Sequence, residues 1–154
     1  MDYRHIKEKI ENEKKAAANK AKDEYVENED ILVKQVCSAV IEEITEKVEA
    51  FYKASPSQVR ESIKRYKNFN GIYPPSFFSK NYKYTSSYSN VVISSYDEKV
   101  GYEYDGWNYN HIFYIPTACL NTFINKINKC LNDKEIKVTL SSNRLAISAN
   151  LGEL

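Results

Sequence analysis

The sequence predicts an α+β fold: N-terminal helices, the first one or two of them long, then an antiparallel β-meander, one further helix and a C-terminal β-hairpin. The first 55 residues contain neither Gly nor Pro, so the strongest helix breakers are missing there. After Lys80 the side-chain pattern changes to a period of two, which is typical of strands. The strands cluster along the chain and do not alternate with helices, which favours α+β over α/β.

Two helical segments of different character make up the N-terminal third. Residues 1–28 are rich in Glu, Lys and Ala, which are good helix formers, but their apolar stripe is thin. The following segment carries a broad stripe at helical spacing, as expected of a helix that faces a core. That stripe comprises Val33, Val36, Cys37, Val40, Ile41, Ile44, Val48 and Phe51.

The junction between these segments has two interpretations. Asp30 is a suitable N-cap for a second helix, and it fits equally well inside one continuous helix. A continuous helix would be roughly 75 Å long, which exceeds what one compact domain covers. We therefore expect residues 1–28 to form a helical arm for oligomerisation or partner binding, and residues 29–154 to form a single α+β globular domain.

A third helix is predicted from Ser55, with Pro56 at the first helical position and Gln58 two residues later. It runs to about Lys67. Asn70-Gly71 and the two prolines at 74 and 75 then favour turns and extended chain.

The strand region contains one strong hairpin signal. Asp105-Gly106, between alternating residues, predicts a two-residue type I′ turn. This register pairs Tyr104 with Trp107 and Tyr102 with Tyr109, so that four aromatic rings share one face.

The last segments complete the predicted fold. Thr117 is a candidate cap for a helix that ends near Asn132, followed by a hairpin around residues 141–144. The apolar face of that helix comprises Leu120, Phe123, Ile124, Ile127 and Leu131.

Composition narrows the class of protein. A formal net charge of +1 gives no global attraction to polyanions, and three cysteines without C-x-x-C spacing fit a reducing compartment. The charged N-terminus and the lack of a long apolar run predict a cytoplasmic location, in its own cell or a host cell, and no membrane partner. Abundant Tyr, Lys, Asn and Ile, which have AT-rich codons, suggest a gene from an AT-rich genome, such as a low-GC bacterium, its phage or another mobile element.

A local charge imbalance lies behind the neutral total. Residues 54–84 contain six Lys or Arg and one acid, whereas residues 85–116 contain one Lys and four acids. The basic block is either a polyanion site with interleaved aromatics or the neighbour of the acidic meander within one domain. The candidate polyanion-binding residues are Arg60, Lys64, Arg65, Tyr66, Lys67, Tyr73, Lys80 and Lys83.

Catalytic signals are weak. His111 and Cys119 could act as base and nucleophile, although a local structural role fits both residues better. Glu135 and Lys137, together with Asp105, distantly suggest a metal-dependent nuclease. We predict no catalytic residue, no metal ligand and no cofactor.

The function that these features favour is a non-enzymatic interaction protein that binds a protein partner or self-associates. Tyr suits binding because it combines a large apolar area, a low entropy cost and a polar tip. Nucleic-acid binding through residues 60–84 is the alternative, and the nuclease is a second one. The candidate protein-binding residues are Tyr3, Ile6, Ile10, Tyr102, Tyr104, Trp107 and Tyr109.

Overall fold

A computed structural model describes residues 2–53 and 82–152 of the chain. In this part of the chain a long helix precedes a mixed sheet, a second helix and a C-terminal hairpin, so the predicted α+β class is confirmed. The helices are α1 (Tyr3–Lys53) and α2 (Leu120–Leu131). The strands are β1 (Tyr82–Ser86), β2 (Val91–Ser95), β3 (Gly101–Asp105), β4 (Asn110–Ile115), β5 (Ile136–Ser141) and β6 (Arg144–Gly152).

The first two helical segments form one uninterrupted helix of 51 residues. The carboxylate of Asp2 accepts a hydrogen bond from the backbone N–H of Arg4 and so caps the N-terminus. Asp30 therefore lies inside α1 and caps nothing. With no Gly or Pro in the segment, nothing in the backbone chemistry stops the helix at that point.

Burial along α1 is uneven. Every residue from 2 to 16 is exposed, whereas Ala21 and Tyr25 are buried. Tyr25 packs edge-on against Phe123 of α2, with ring centroids 6.2 Å apart. The division into an arm and a domain at residue 28 stays a prediction, and the packing of α1 begins before that point.

The sheet differs from the predicted antiparallel meander: among the described strands, β3–β4 is the one pair of that meander that forms. β2 and β4 pair in parallel, while the other pairings are antiparallel, so the sheet is mixed. The strand order is β1-β6-β2-β4-β3, with β5 on β6. β1 and β2 do not form a hairpin, because the chain between them continues along β6, where the Ser89 N–H donates to the Leu145 carbonyl. The free side of β2 is then taken by β4.

Both predicted apolar stripes are confirmed where the side chains are described, which leaves out Phe51, and they meet on one face of the sheet. On α1 the buried stripe residues are Val33, Val36, Cys37, Val40 and Ile44. On α2 they are Phe123, Ile127 and Leu131. These helices cover buried strand residues that include Ile93, Phe113, Ile115, Val138, Leu145 and Ile147.

The C-terminal hairpin is present as predicted, since β5 and β6 pair from Ile136 and Ala149 to Ser141 and Arg144. The predicted side-chain cap of α2 by Thr117 does not form. Thr117 begins a short 3₁₀ turn without a side-chain cap, and its hydroxyl bonds to the Ser95 hydroxyl at 2.8 Å. The predicted third helix and the turns that follow it lie outside the described residues.

Candidate binding surface

The β3–β4 hairpin presents the largest group of exposed aromatic rings in the described part of the globular region. Its register differs from the prediction: Tyr104 lies opposite His111, and Tyr102 lies opposite Phe113. The connection is consequently a four-residue loop, Gly106 to Tyr109, and not a two-residue turn. Phe113 is completely buried against Phe123, which requires Phe113 to be the inward residue at its position.

Asp105 organises the loop. Its carboxylate accepts hydrogen bonds from the Asn108 side chain at 2.9 Å and from the backbone N–H of Trp107 at 3.1 Å. These bonds, that of Asn108 first, hold the pKa of the Asp105 carboxyl below its usual value. The loop thus has a defined shape, and at its tip the Trp107 side chain is 90% exposed.

Behind the tip, a stack of rings joins the loop to the core. The centroids of Tyr104 and His111 lie 4.9 Å apart, as do those of Tyr102 and Phe113. The Tyr102 hydroxyl lies 2.6 Å from Nδ1 of His111. The rings of Tyr102 and Tyr104 are therefore mounted on a buried base, and they lose little conformational entropy when they bind.

A groove runs between α1 and the hairpin, and its two compartments measure about 400 and 320 Å³. Ile31, Gln35 and Tyr102 line both compartments. The larger one is completed by Lys34, Ser38, Ala39, Glu42 and His111. The smaller one is completed by Glu24, Asn28, Leu32, Val100 and Gly101.

The charged groups of this groove are the carboxylates of Glu24 and Glu42 and the ammonium of Lys34. The buried Oε1 atom of Gln35 has no hydrogen-bond partner in the structure. Burial, the neighbouring Tyr104 and the carboxylate of Glu42 together raise the pKa of the Tyr102 hydroxyl, in that order of importance. A ligand with hydrogen-bond donors would match these groups.

On the opposite face of the hairpin the polar groups already have partners. The Tyr114 hydroxyl donates to Glu103 at 3.1 Å, and the Lys99 ammonium lies 3.8 Å above the Tyr114 ring and 3.9 Å from Glu103. The Tyr96 ring packs edge-on against Tyr114. The face with Tyr102 and the groove is thus the less satisfied of the two.

The predicted site residues fall into separate places. Tyr3, Ile6 and Ile10 are exposed on α1, and Ile10 lies roughly 30 Å along the helix axis from Ile31 in the groove. They form a second surface, distinct from the hairpin. The predicted polyanion-binding residues lie outside the described residues except for Lys83, which lies in β1.

The structure separates the groups considered for catalysis. Asp105 ends β3, whereas Glu135 precedes β5, which pairs with β6 and is separated from β3 by four strand spacings, or roughly 19 Å across the sheet. His111 lines the groove, but Cys119 is not among its lining residues. Within residues 2–53 and 82–152, no cluster of His, Cys, Asp or Glu has the arrangement of a metal site.

Several groove residues did not stand out in the sequence. Gln35 and Glu42 are ordinary polar positions of an amphipathic helix, and no local signal distinguishes them. Ile31 gives a weak signal in the sequence, because it is an apolar residue just before the core stripe. In the structure it is 56% exposed. Only the approach of the hairpin to α1 brings these side chains together.

Comparison with known proteins identifies no relative: no family model, no curated protein and no solved structure matches the chain. None of the described helices is both long and apolar enough to cross a membrane.

Proposed function

We propose that this chain is a non-enzymatic protein-binding protein that recognises its partner with the β3–β4 hairpin. The observation that carries the proposal is the 90% exposure of Trp107 at the tip of an ordered loop. Tyr104 and Tyr109 flank it with exposures of 50% and 68%. Tryptophan and tyrosine are the residues most enriched among interface hot spots.

Pre-organisation supports the same function. Asp105 holds the loop through hydrogen bonds from both Asn108 and Trp107, and the ring stack behind it ends in the buried Phe113. Burying Trp107 and Tyr104 on a partner would remove several hundred Å² of apolar surface from water. Such anchors commonly contribute about 2 kcal/mol or more each to binding.

The experiment is an affinity capture from host cells with the purified chain as bait, with nuclease treatment throughout. The captured protein is then purified, and its affinity for the chain is measured. The Trp107→Ala variant should bind it about thirtyfold more weakly. Tyr96→Ala removes a 52% exposed ring that lies outside β3, β4 and their loop, and serves as the control. If the Trp107→Ala bait retains full affinity, the hairpin is not the binding surface.

Self-association through α1 is a second candidate, favoured by the exposure of every residue from 2 to 16. An isolated helix is marginal in water, and the stripe of Tyr3, Ile6 and Ile10 could close a coiled-coil-like seam with a second copy. The alternative is a solvated helix with pairs such as Lys7 and Glu11, whose charged atoms lie 4.0 Å apart.

Light scattering after size exclusion separates these alternatives. The full chain should form a dimer or larger species, and the double substitution Ile6→Asp with Ile10→Asp should make it monomeric. Glu8→Lys changes the charge of the same helix away from the stripe and should leave the assembly intact. A wild-type chain that is monomeric at every concentration excludes self-association. A truncation should end at residue 16, because Ala21 and Tyr25 belong to the core.

The origin and location of the protein are further parts of the proposal. Its Tyr, Lys, Asn and Ile content supports a gene from an AT-rich genome, such as that of a low-GC bacterium or its phage, whose product acts in the cytoplasm of its own cell or of a host cell. A GC-rich coding sequence would contradict that origin.

A further inference from the structure

Among residues 2–53 and 82–152, no strand pairs with the outer edge of β3. Among the described strands, β3 pairs with β4 alone and stands at one end of the strand order. Natural edge strands are usually blunted by charged side chains, above all Lys, by Pro or by a bulge. Residues Gly101 to Asp105 include no Lys, Pro or bulge, and their charges are the acids Glu103 and Asp105. By contrast, β5 at the other edge carries the exposed Lys137.

The outer edge of β3 adjoins the groove. Val100, Gly101 and Tyr102 form the strand side of the smaller compartment, and α1 forms the facing wall through Ile31 and Gln35. A strand added to β3 would lie about 4.8 Å beyond it, with alternate side chains directed toward α1. Extended peptides bind in this way to exposed sheet edges, where main-chain hydrogen bonds supply affinity and side-chain pockets supply specificity.

The groups in the groove indicate what those side chains must carry. Glu24 and Glu42 contribute two carboxylates against the single ammonium of Lys34. The Gln35 Oε1 atom is an acceptor that lacks a donor. A Lys or Arg side chain in the groove would bring both positive charge and N–H donors to these groups.

We propose that the edge of β3 binds an extended segment of a partner protein by strand addition, with a Lys or Arg of that segment seated in the groove between β3 and α1. This inference rests on the proposed protein-binding function and names the kind of segment that the hairpin recognises. Trp107 and Tyr109 lie just beyond the end of β3, where they would contact the residues that follow the paired segment.

A second copy of the chain is a poorer occupant of this edge. Antiparallel pairing of two β3 strands about their midpoint would place Glu103 directly opposite itself, with Asp105 at each end. Like charges opposite one another destabilise a strand pair. The local charge of the hairpin therefore selects a basic strand and rejects its own copy.

The probe is a display library of random ten-residue peptides, selected against the folded, full-length chain. Selected peptides should alternate apolar residues with Lys or Arg, and a representative synthetic peptide should slow the amide hydrogen exchange of residues 101–105. Methylating backbone nitrogens of that peptide one at a time should weaken binding about tenfold at alternate positions only, because every second N–H faces β3.

Variants of the chain test the groove directly. Glu42→Lys reverses a groove charge and should weaken the synthetic peptide about tenfold or more. Glu49→Lys makes the same change on an exposed position of α1 that does not line the groove, and should leave affinity within about twofold. If the two variants weaken binding equally, the effect of charge is a long-range attraction. The basic side chain of the peptide then does not bind in the groove.

Other outcomes decide between this inference and the function on which it rests. A library that yields no binder, acidic selected peptides, or uniform tolerance of N-methylation overturns strand addition. If the captured partner still depends on Trp107 in those cases, protein binding through the hairpin tip stands by itself. If the captured partner binds the Trp107→Ala variant normally and the peptide binds tightly and with sensitivity to N-methylation, the β3 edge is a binding site. The role proposed for the loop tip is then wrong.

Discussion

The hydroxyl of Tyr102 on β3 and the Nδ1 atom of His111 on β4 are joined by a 2.6 Å hydrogen bond that crosses the ladder diagonally. His111 lies directly opposite Tyr104, which is two residues nearer to the loop than Tyr102. This bond ties the wall of the groove to the base of the aromatic tip, so the two parts of the candidate surface form one unit.

We expect Tyr102→Phe to lower the free energy of unfolding by about 0.5 to 1.5 kcal/mol, since it removes this bond and keeps the ring that packs on Phe113. Urea denaturation measures the change. Tyr104→Phe is the matched control, because the structure shows no hydrogen bond for that hydroxyl among the described residues. Equal losses in the two variants would show that the diagonal bond contributes nothing of its own.

Glu43 should make stability depend on pH. It is 6% exposed, and its Oε1 atom accepts the Asn90 N–H at 2.8 Å while Oε2 has no partner. Burial raises the pKa of its carboxyl, the Asn90 bond and Lys47 oppose that change, and Glu46 adds to it. The same carboxylate, after burial itself, raises the pKa of Tyr84 to about 12.

The sign follows from the folded state holding the Glu43 proton more tightly than the unfolded state does. Wild-type stability should therefore fall as pH rises from about 4.5 through the raised pKa, and remain lower above it. Glu43→Gln keeps an acceptor for the Asn90 N–H but carries no charge, so its advantage over wild type should grow across that interval. Urea denaturation from pH 4 to pH 8 tests this, with Glu49→Gln as the exposed control. A constant difference at all pH values would contradict it.

Gly101 should be needed for its backbone conformation. Its φ of +152° is unfavourable for residues with a Cβ atom, although a Cβ there would meet no other atom within 4 Å. Gly101→Ala should thus cost about 1 kcal/mol or more through backbone strain alone. Gly106→Ala has the opposite expectation, a neutral or slightly stabilising change, since Gly106 lacks a positive φ and its added Cβ would only touch Tyr104 at 3.8 Å. Thermal or urea denaturation of both variants decides.

The three cysteines should differ in reactivity. Cys37 is buried, and burial, with the neighbouring Cys130 as a smaller cause, raises the pKa of its thiol to about 12. Burial also raises the pKa of the partly buried Cys119, whereas Cys130 is exposed. Iodoacetamide at pH 8 should modify Cys130 first and Cys37 only after unfolding, because the thiolate is the nucleophile. Mass spectrometry of tryptic peptides over time measures the order, and early labelling of Cys37 would contradict the packing of α1 on α2.

Local patterns predicted those parts of the fold that local chemistry controls. The stripe from Val33 to Ile44 and the face of α2 repeat at the helical period, so each specifies both a helix and its buried side. The C-terminal hairpin likewise follows from two alternating segments joined by a short polar turn. For the same reason the exposed aromatics of the β3–β4 segment could be recognised as a candidate surface before the structure.

The register of that hairpin could not be read in the same way. Asp105-Gly106 is a good two-residue turn, but the Asp105 carboxylate instead closes a four-residue loop around Trp107 and Asn108. The predicted and the observed pairing both put Phe113 on the face of Tyr102, so burial of that ring against Phe123 excludes a slip of one residue but does not choose between these two registers. What distinguishes them is the longer loop that Asp105 closes, which the turn dipeptide alone does not show.

By itself, the sequence determined the α+β class, the apolar faces of α1 and α2, and the aromatic character of residues 102–109. Helix periodicity and strand alternation are local properties, and neighbouring residues suffice to specify them. Only the tertiary structure decided that α1 runs unbroken through Asp30, that β2 pairs in parallel with β4, and that Gln35 faces Tyr102 across a groove. Those outcomes depend on which distant surfaces bury one another, and the free energy of that choice is set by packing between elements.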